Sequence, residues 1–276
     1  MRWIDFLRQV VNESLEDDLL GQAAQLSFYF LLALFPALLC LTAVVGMLPL
    51  ENVIPRLMNY LQTVLPAGSL TLVREYLTQI KTGSGGGILS LGMLGAFWAA
   101  SSGMAALIST LNAVYEVQET RSFVKARLVA LGLTIGIGFF MTLSILLFIW
   151  GERVSLWVAQ WFGFTETFVT VWAFIQWPLI VVLMLVAVGA AYYFCPNKRV
   201  KWRWISPGAV VAVLLWFGMS LGFKWYVENF NNYNAAYGSL AGGVVLMLWL
   251  YLSGAALLLG GEINSELDKS EPPSTW

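Results

Sequence analysis

Six stretches of the chain are almost continuously apolar, near residues 25–48, 87–111, 128–150, 169–195, 204–223 and 238–262. Each supplies the roughly 20 residues that a helix rising 1.5 Å per residue needs to cross about 30 Å of hydrocarbon. Runs such as LLALFPALLCLTAVVGML and GGVVLMLWLYLSGAALLLGG do not alternate apolar with polar positions, which excludes the short alternating strands of a membrane barrel. The pattern predicts an all-α, polytopic integral membrane helix bundle with six transmembrane helices. They form a single transmembrane domain over 1–268, followed by a short disordered tail at 269–276.

Two further segments are periodic but too short to span. Residues 53–65 place Ile54, Leu57, Met58, Leu61, Val64 and Leu65 at helical spacing behind Pro55. Residues 69–81 repeat this with Val73, Tyr76, Leu77 and Ile80, and Pro66 and Gly68 break between the two. They predict an outer amphipathic helical pair over 53–81, packed on the bundle or lying in the interface. The N-terminal segment 1–20 repeats the pattern on the inner side, with Trp3, Phe6, Leu7, Val10 and Val11 as its apolar face.

Composition agrees with this picture. Of 276 residues 59% are hydrophobic and 11% are charged, against about 25% charged in soluble domains. A soluble enzyme is excluded. The formal net charge of −1 argues against nucleic acid as a partner, because phosphate binding needs a surplus of cations on one face. There is no histidine, so the commonest transition-metal ligand is missing. Cys40 and Cys195 fall near opposite ends of their spans, too far apart for a disulfide.

Lysines and arginines set the orientation. Arg2, Arg8, Arg121, Lys125, Arg127, Lys198, Arg199, Lys201, Arg203 and Lys269 fall on the side of the termini; Arg56, Arg74, Lys81, Arg153 and Lys224 fall opposite. The twofold bias predicts cytoplasmic N and C termini. Trp150, Trp157, Trp161, Trp172 and Trp177 then line the outer surface, and Trp202 and Trp204 the inner one, as an aromatic belt does.

Within this frame a few polar residues stand out. Gln22, Gln25 and Tyr29 share a face at the start of span 1, ahead of a mid-span kink at Pro36. Span 2 carries Ser102, Ser109, Asn112 and Glu116 on one face, beside a small-residue ridge of Gly95, Ala99 and Gly103. Gly132 and Gly136 in span 3 form another pair expected to pack closely. Span 6 ends in GEINSEL, with Glu262, Asn264 and Glu266. Gln22, Gln25, Asn112, Glu116, Glu262 and Asn264 all fall at one cytoplasmic depth, either as a functional cluster or as hydrogen-bonding glue between helices. Asp17–Asp18 and Glu266/Asp268 are expected to face water. On the outer side, Tyr226, Asn229, Asn231, Asn232, Asn234 and Tyr237 form either a loop into span 6 or a polar surface for a head group.

The segments AAQLSFYFLLALFPALL, NFNNYNAAYGSL and YGSLAGGVVLMLWLYLSGAALLLGGEINSEL resemble signature stretches of the YihY/BrkB family, and the resemblance runs over about 1–268. The family consists of multi-pass proteins of the bacterial inner membrane, formerly mislabelled ribonuclease BN. Members have been linked to serum resistance and to export of a lipid A precursor. The resemblance implies a transporter or flippase-like exporter of a lipid or other amphiphile without its own ATPase. The alternative is a non-transporting envelope scaffold or assembly protein. A ribonuclease would need metal ligands, a general base or a basic channel, and none is legible. No enzyme activity, cofactor or metal is expected. The partners expected are membrane lipids and an amphiphilic substrate, with oligomerisation open.

Overall fold

The computed structural model describes residues 3–47, 86–162, 166–198, 205–229 and 241–270. Among these the regular elements are all α-helices: α1 (Trp3–Glu16), α2 (Leu19–Met47), α3 (Gly86–Val114), α4 (Phe123–Phe162), α5 (Glu166–Phe194), α6 (Pro207–Asn229) and α7 (Ala241–Ser270). Among the described residues, five stretches are long and apolar enough to cross a membrane: Leu94–Val114, Phe123–Ser144, Thr170–Phe194, Pro207–Val227 and Gly242–Ser270. The first expected span falls on α2, of which Leu19–Leu34 is a shorter apolar stretch. The expected outer pair at 53–81 lies outside the described residues. The chain is a multi-pass helical membrane protein.

Local chemistry sets the helix ends. α1 closes on Asp18, whose φ of 49° is left-handed, with its N–H bonded to the Leu15 carbonyl at 3.3 Å. α3 ends the same way on Glu116, φ 51°. There Val117 N–H donates to Asn112 O (2.9 Å) and Glu116 N–H to Ala113 O (2.8 Å), the paired bonds of a Schellman cap. At the start of α6, Ser206 Oγ accepts the Ala209 N–H at 3.2 Å ahead of Pro207 in the first turn, a serine N-cap followed by proline. Pro36 and Pro178 each sit inside a helix that continues through them.

The chain divides into two compact units. One comprises Met1–Leu19, Ile108–Leu215 and Ala256–Trp276; the other comprises Leu20–Leu107 and Trp216–Ala255. In the second unit a Cβ on Gly103 would meet Ala33 Cβ at 3.0 Å and the Phe30 ring at 3.2 Å, so α3 comes close onto α2 at that one residue; Gly95 of the same expected ridge has no described neighbour within 4 Å. Two reciprocal bonds tie α6 to α7 in this unit: Trp216 Nε1 donates to Ser253 Oγ (3.0 Å) and Trp249 Nε1 to Ser220 Oγ (3.2 Å).

In the first unit α4 and α5 pack together, and Gln176 on α5 lies over Gly151 while donating to the Leu147 carbonyl at 2.8 Å. The close approach expected of Gly132 and Gly136 is not found. Both are exposed, and neither has a described residue within 4 Å of where a Cβ would be. The tight junction lies on α7 instead. A Cβ on Gly260 would meet Gly208 O at 2.5 Å and Ala212 Cβ at 2.7 Å, and one on Gly261 would meet Leu111 Cδ2 at 3.0 Å. Tyr192 on α5 donates its hydroxyl to the Leu257 carbonyl at 2.5 Å. α7 is thereby in close contact with α3, α5 and α6 immediately before Glu262.

Candidate functional site

The Gly260–Gly261 junction carries the next turn of α7 into the protein. Glu262 is wholly buried, and neither carboxylate oxygen has a hydrogen-bond partner among the described residues. Ser265, one turn on, is also wholly buried with an unpartnered hydroxyl. Glu262, Ser265, Glu266 and Lys269 share a face by helical spacing. Lys269 Nζ lies 2.6 Å from Glu266 Oε1, 2.7 Å from Glu116 Oε1 and 4.0 Å from Glu13 Oε1. One ammonium therefore joins α1, the cap of α3 and the last turn of α7.

Asp17 completes the group from the turn after α1. Its Oδ2 is buried without a partner, and burial, followed by the nearby Glu116 charge, raises its carboxyl above the usual aspartate range. The charges that act on Glu262 come from Asp17, Lys269, Glu266 and Glu13. Five carboxylates thus gather around Lys269, which engages Glu116 and Glu266 closely. Glu262 and Asp17 are the two left with unpartnered buried oxygens. Burying an unpaired carboxylate is costly enough that such a group is neutralised or meets a cation.

The residues singled out from sequence separate here. Glu116 and Glu262 belong to the Lys269 group. Asn112 is buried but faces a loop: its Nδ2 donates to Glu119 (3.0 Å) and its Oδ1 accepts the Asn197 N–H (2.7 Å). Asn197 in turn bonds Gln118 O and Thr120 Oγ1, and Arg121 bonds both oxygens of Glu119 and the Cys195 carbonyl. Arg121 hydrogen bonds, acting against burial, hold the Glu119 carboxyl below the usual range. Burial pushes the Cys195 thiol up to about 12. This network clamps the α3–α4 turn to the end of α5.

Asn264 is a second clamp. Its Oδ1 accepts the Gly208 N–H at 2.9 Å and its Nδ2 donates to Ser206 Oγ at 3.0 Å, so α7 caps the N-terminus of α6. Gln22 and Gln25 lie in the other compact unit, part-buried and exposed respectively. Tyr226 stacks on Phe223 at 6.4 Å and Asn229 ends α6; Asn231, Asn232, Asn234 and Tyr237 lie outside the described residues. The expectation that Glu266 faces water is corrected: it is 2% exposed and paired with Lys269. Asp17 is likewise part-buried. Asp18 is exposed and Asp268 part-buried.

Sequence reading missed Glu13, Asp17 and Lys269 as site residues. Lys269 had a readable signal, since a cation in a last helical turn complements the helix dipole. α7 runs to Ser270, so Lys269 is helical and not tail. Glu13 and Asp17 had none, because the pairing of α1 with α7 is a long-range contact.

Comparison with known proteins places this geometry in a family. The family described as "Virulence factor BrkB" matches residues 10–275. "Putative ribonuclease-like protein YfkH" of Bacillus subtilis (strain 168) is 36% identical over 266 residues, covering 96% of each chain. A "UPF0761 membrane protein" of Alkalilimnicola ehrlichii is 28% identical over 96% of this chain and 58% of its own. A "UPF0761 membrane protein" of Psychrobacter sp. is 25% identical over 96% of this chain and 48% of its own. The chain thus spans about half the length of these last two relatives. No solved structure matches the chain. With the family matched over nearly every residue and a full-length relative above 30% identity, the chain belongs to the BrkB family of membrane proteins.

Proposed function

We propose that the chain is a bacterial inner-membrane transporter, a flippase-like exporter of a lipid or other amphiphile that draws on a proton gradient and not on an ATPase of its own. The observation that carries this is Glu262: a wholly buried carboxylate, inside a membrane-spanning stretch, with both oxygens unpartnered. Ionisable groups at such positions are costly and mark ion or substrate pathways. In this reading Glu262 takes up a proton from the side of the termini, where Asp17, Glu13, Glu116 and Glu266 concentrate positive charge, and releases it as the bundle changes state. Lys269 holds α1, α3 and α7 together while the proton is bound. Both termini lie in the cytoplasm.

The ribonuclease wording in the name of the Bacillus relative is not carried over. Hydrolysis of RNA requires a general base or metal within reach of a phosphodiester. This chain has no histidine, and an RNA backbone would meet mainly carboxylates at the Lys269 group.

The test is transport in proteoliposomes with a tail-labelled fluorescent phosphatidylethanolamine as probe and dithionite reporting its leaflet. A pH gradient should drive redistribution of the probe by the wild-type protein and not by Glu262→Gln at equal incorporation. Redistribution that ignores the gradient, or is equal in the two proteins, would overturn the proton-coupled reading. Absence of redistribution for this probe and for a lipid-linked sugar would favour the scaffold alternative.

A further inference from the structure

Helix α1 has three distinct faces. About 100° of turn per residue places Phe6, Val10, Glu13 and Ser14 together, and these are buried or part-buried. Ser14 bonds back to the Val10 carbonyl at 2.7 Å, and Glu13 comes within 4.0 Å of Lys269. This face is turned to the protein. The next sector holds Ile4, Leu7, Val11 and Leu15, each more than half exposed. The sector after that holds Asp5, Arg8, Asn12 and Glu16, all exposed. Protein, apolar and charged sectors follow one another around a single 14-residue helix.

A helix bathed only in water has no use for four large apolar side chains in one exposed row. A helix sunk in hydrocarbon cannot expose four charged or amide side chains beside them. Both rows are satisfied at one level, the boundary between lipid and water. The contact to Lys269 independently sets that level. Lys269 lies one residue from the end of the membrane-spanning stretch Gly242–Ser270, and α1 approaches that end through Glu13. The entry into α4 repeats the signature in the same unit: Phe123, Val124 and Leu128 are exposed next to exposed Lys125.

We infer that α1 is an interfacial helix that docks on the bilayer itself, with Ile4, Leu7, Val11 and Leu15 inserted among the acyl chains and Asp5, Arg8, Asn12 and Glu16 in the head-group water. The charged row mixes two acids with one base, so insertion depends on apolar contact and not on anionic lipid. The docking face differs from the one that periodicity alone suggests, because Phe6 and Val10 are taken by the protein. α1 thereby holds Glu13 against Lys269 with one side while its adjacent side rests in lipid.

Spin labels test this in the full chain, with Cys40 and Cys195 replaced by alanine and the protein in phosphatidylcholine nanodiscs. Labels at Leu7→Cys and Val11→Cys should collide with oxygen several-fold more than with a water-soluble nickel chelate. Labels at Asp5→Cys and Asn12→Cys should show the reverse. Adding phosphatidylglycerol should leave the pattern unchanged. Equal nickel access at all four sites would place α1 in water and overturn the inference. Labels at 7 and 11 shielded from both reagents would mean that a protein surface, such as a second copy of the chain, covers this face, and would overturn it equally. Leu15→Cys repeats the reading at the far end of the same row.

Discussion

Replacing Gly260 by alanine isolates the junction that positions Glu262. The new Cβ would lie 2.5 Å from the Gly208 carbonyl oxygen and 2.7 Å from Ala212 Cβ, and would press on the Tyr192 hydroxyl. Carbon atoms pack best at about 3.5–4.0 Å, and two of these three neighbours belong to the backbone or short side chain of α6, which cannot rotate away. α6 must therefore back off. Overpacking of this kind costs about 1–3 kcal/mol. Losing the Tyr192–Leu257 hydrogen bond adds about 1 kcal/mol. The better helix propensity of alanine returns about 1 kcal/mol. The balance is a loss of about 1–3 kcal/mol, set mainly by the overpacking. Gly132→Ala makes the same chemical change where nothing lies within 4 Å, so only the propensity gain of up to about 1 kcal/mol remains. Unfolding in detergent under a chemical denaturant should show the two alanines moving the midpoint in opposite directions. A Gly260→Ala protein as stable as the parent would refute the α6–α7 contact. Tyr192→Phe separates the hydrogen bond from the clash, because it removes the bond and leaves the space.

Three further outcomes follow from the same geometry. Asn264→Ala strips the α7 cap from the start of α6 and leaves the Gly208 N–H buried, which should cost about 1–3 kcal/mol in the same assay. Glu119 has its carboxyl lowered by Arg121, so its contribution is full above the ordinary glutamate range and is lost as pH falls through its own lower value; the destabilisation by Glu119→Gln, measured at a series of pH values, should therefore be present at neutrality and vanish in strong acid. The proposed cytoplasmic position of both termini predicts that cysteines placed at 62 and 231 react with an impermeant maleimide from outside intact spheroplasts and those at 122 and 199 do not; labelling at 199 would reverse the orientation.

The apolar runs made the spans legible, because lipid demands a continuous property over about 20 residues and tolerates few exceptions. Five of the predicted stretches reappear as α3 to α7 with shifted ends. Contacts between helices were less legible. Gly103 packs closely, whereas Gly95 of its own ridge and Gly132 and Gly136 touch none of the described residues; small residues permit close approach without naming a partner. Asn112 and Asn264 looked like members of one polar cluster at a common depth. Depth says nothing of direction, and one clamps a loop while the other caps a helix. Glu262 could be placed from sequence at the end of an apolar span, but its burial shows only in the structure. Its surroundings, Asp17 and Lys269, depend on how α1 and the end of α7 fold together, and no local pattern encodes that. The αL caps at Asp18 and Glu116 were hidden for another reason: each uses a residue that the conformation disfavours, where glycine would have announced it.

Infrared difference spectroscopy on the reconstituted protein addresses the central claim most directly, since it sees the carboxyl group itself. A pH jump across neutrality should reveal the C=O stretch of a protonated carboxylic acid, downshifted in heavy water, in the wild type and in Glu266→Gln. Asp17, whose carboxyl is raised by burial, is replaced by asparagine throughout the series, so that the band should be missing from Glu262→Gln while its amide bands and denaturant midpoint match the parent. A spectrum of Glu262→Gln that keeps the band, or a wild type that never shows it, would contradict the claim that Glu262 is the group that takes up and releases the proton.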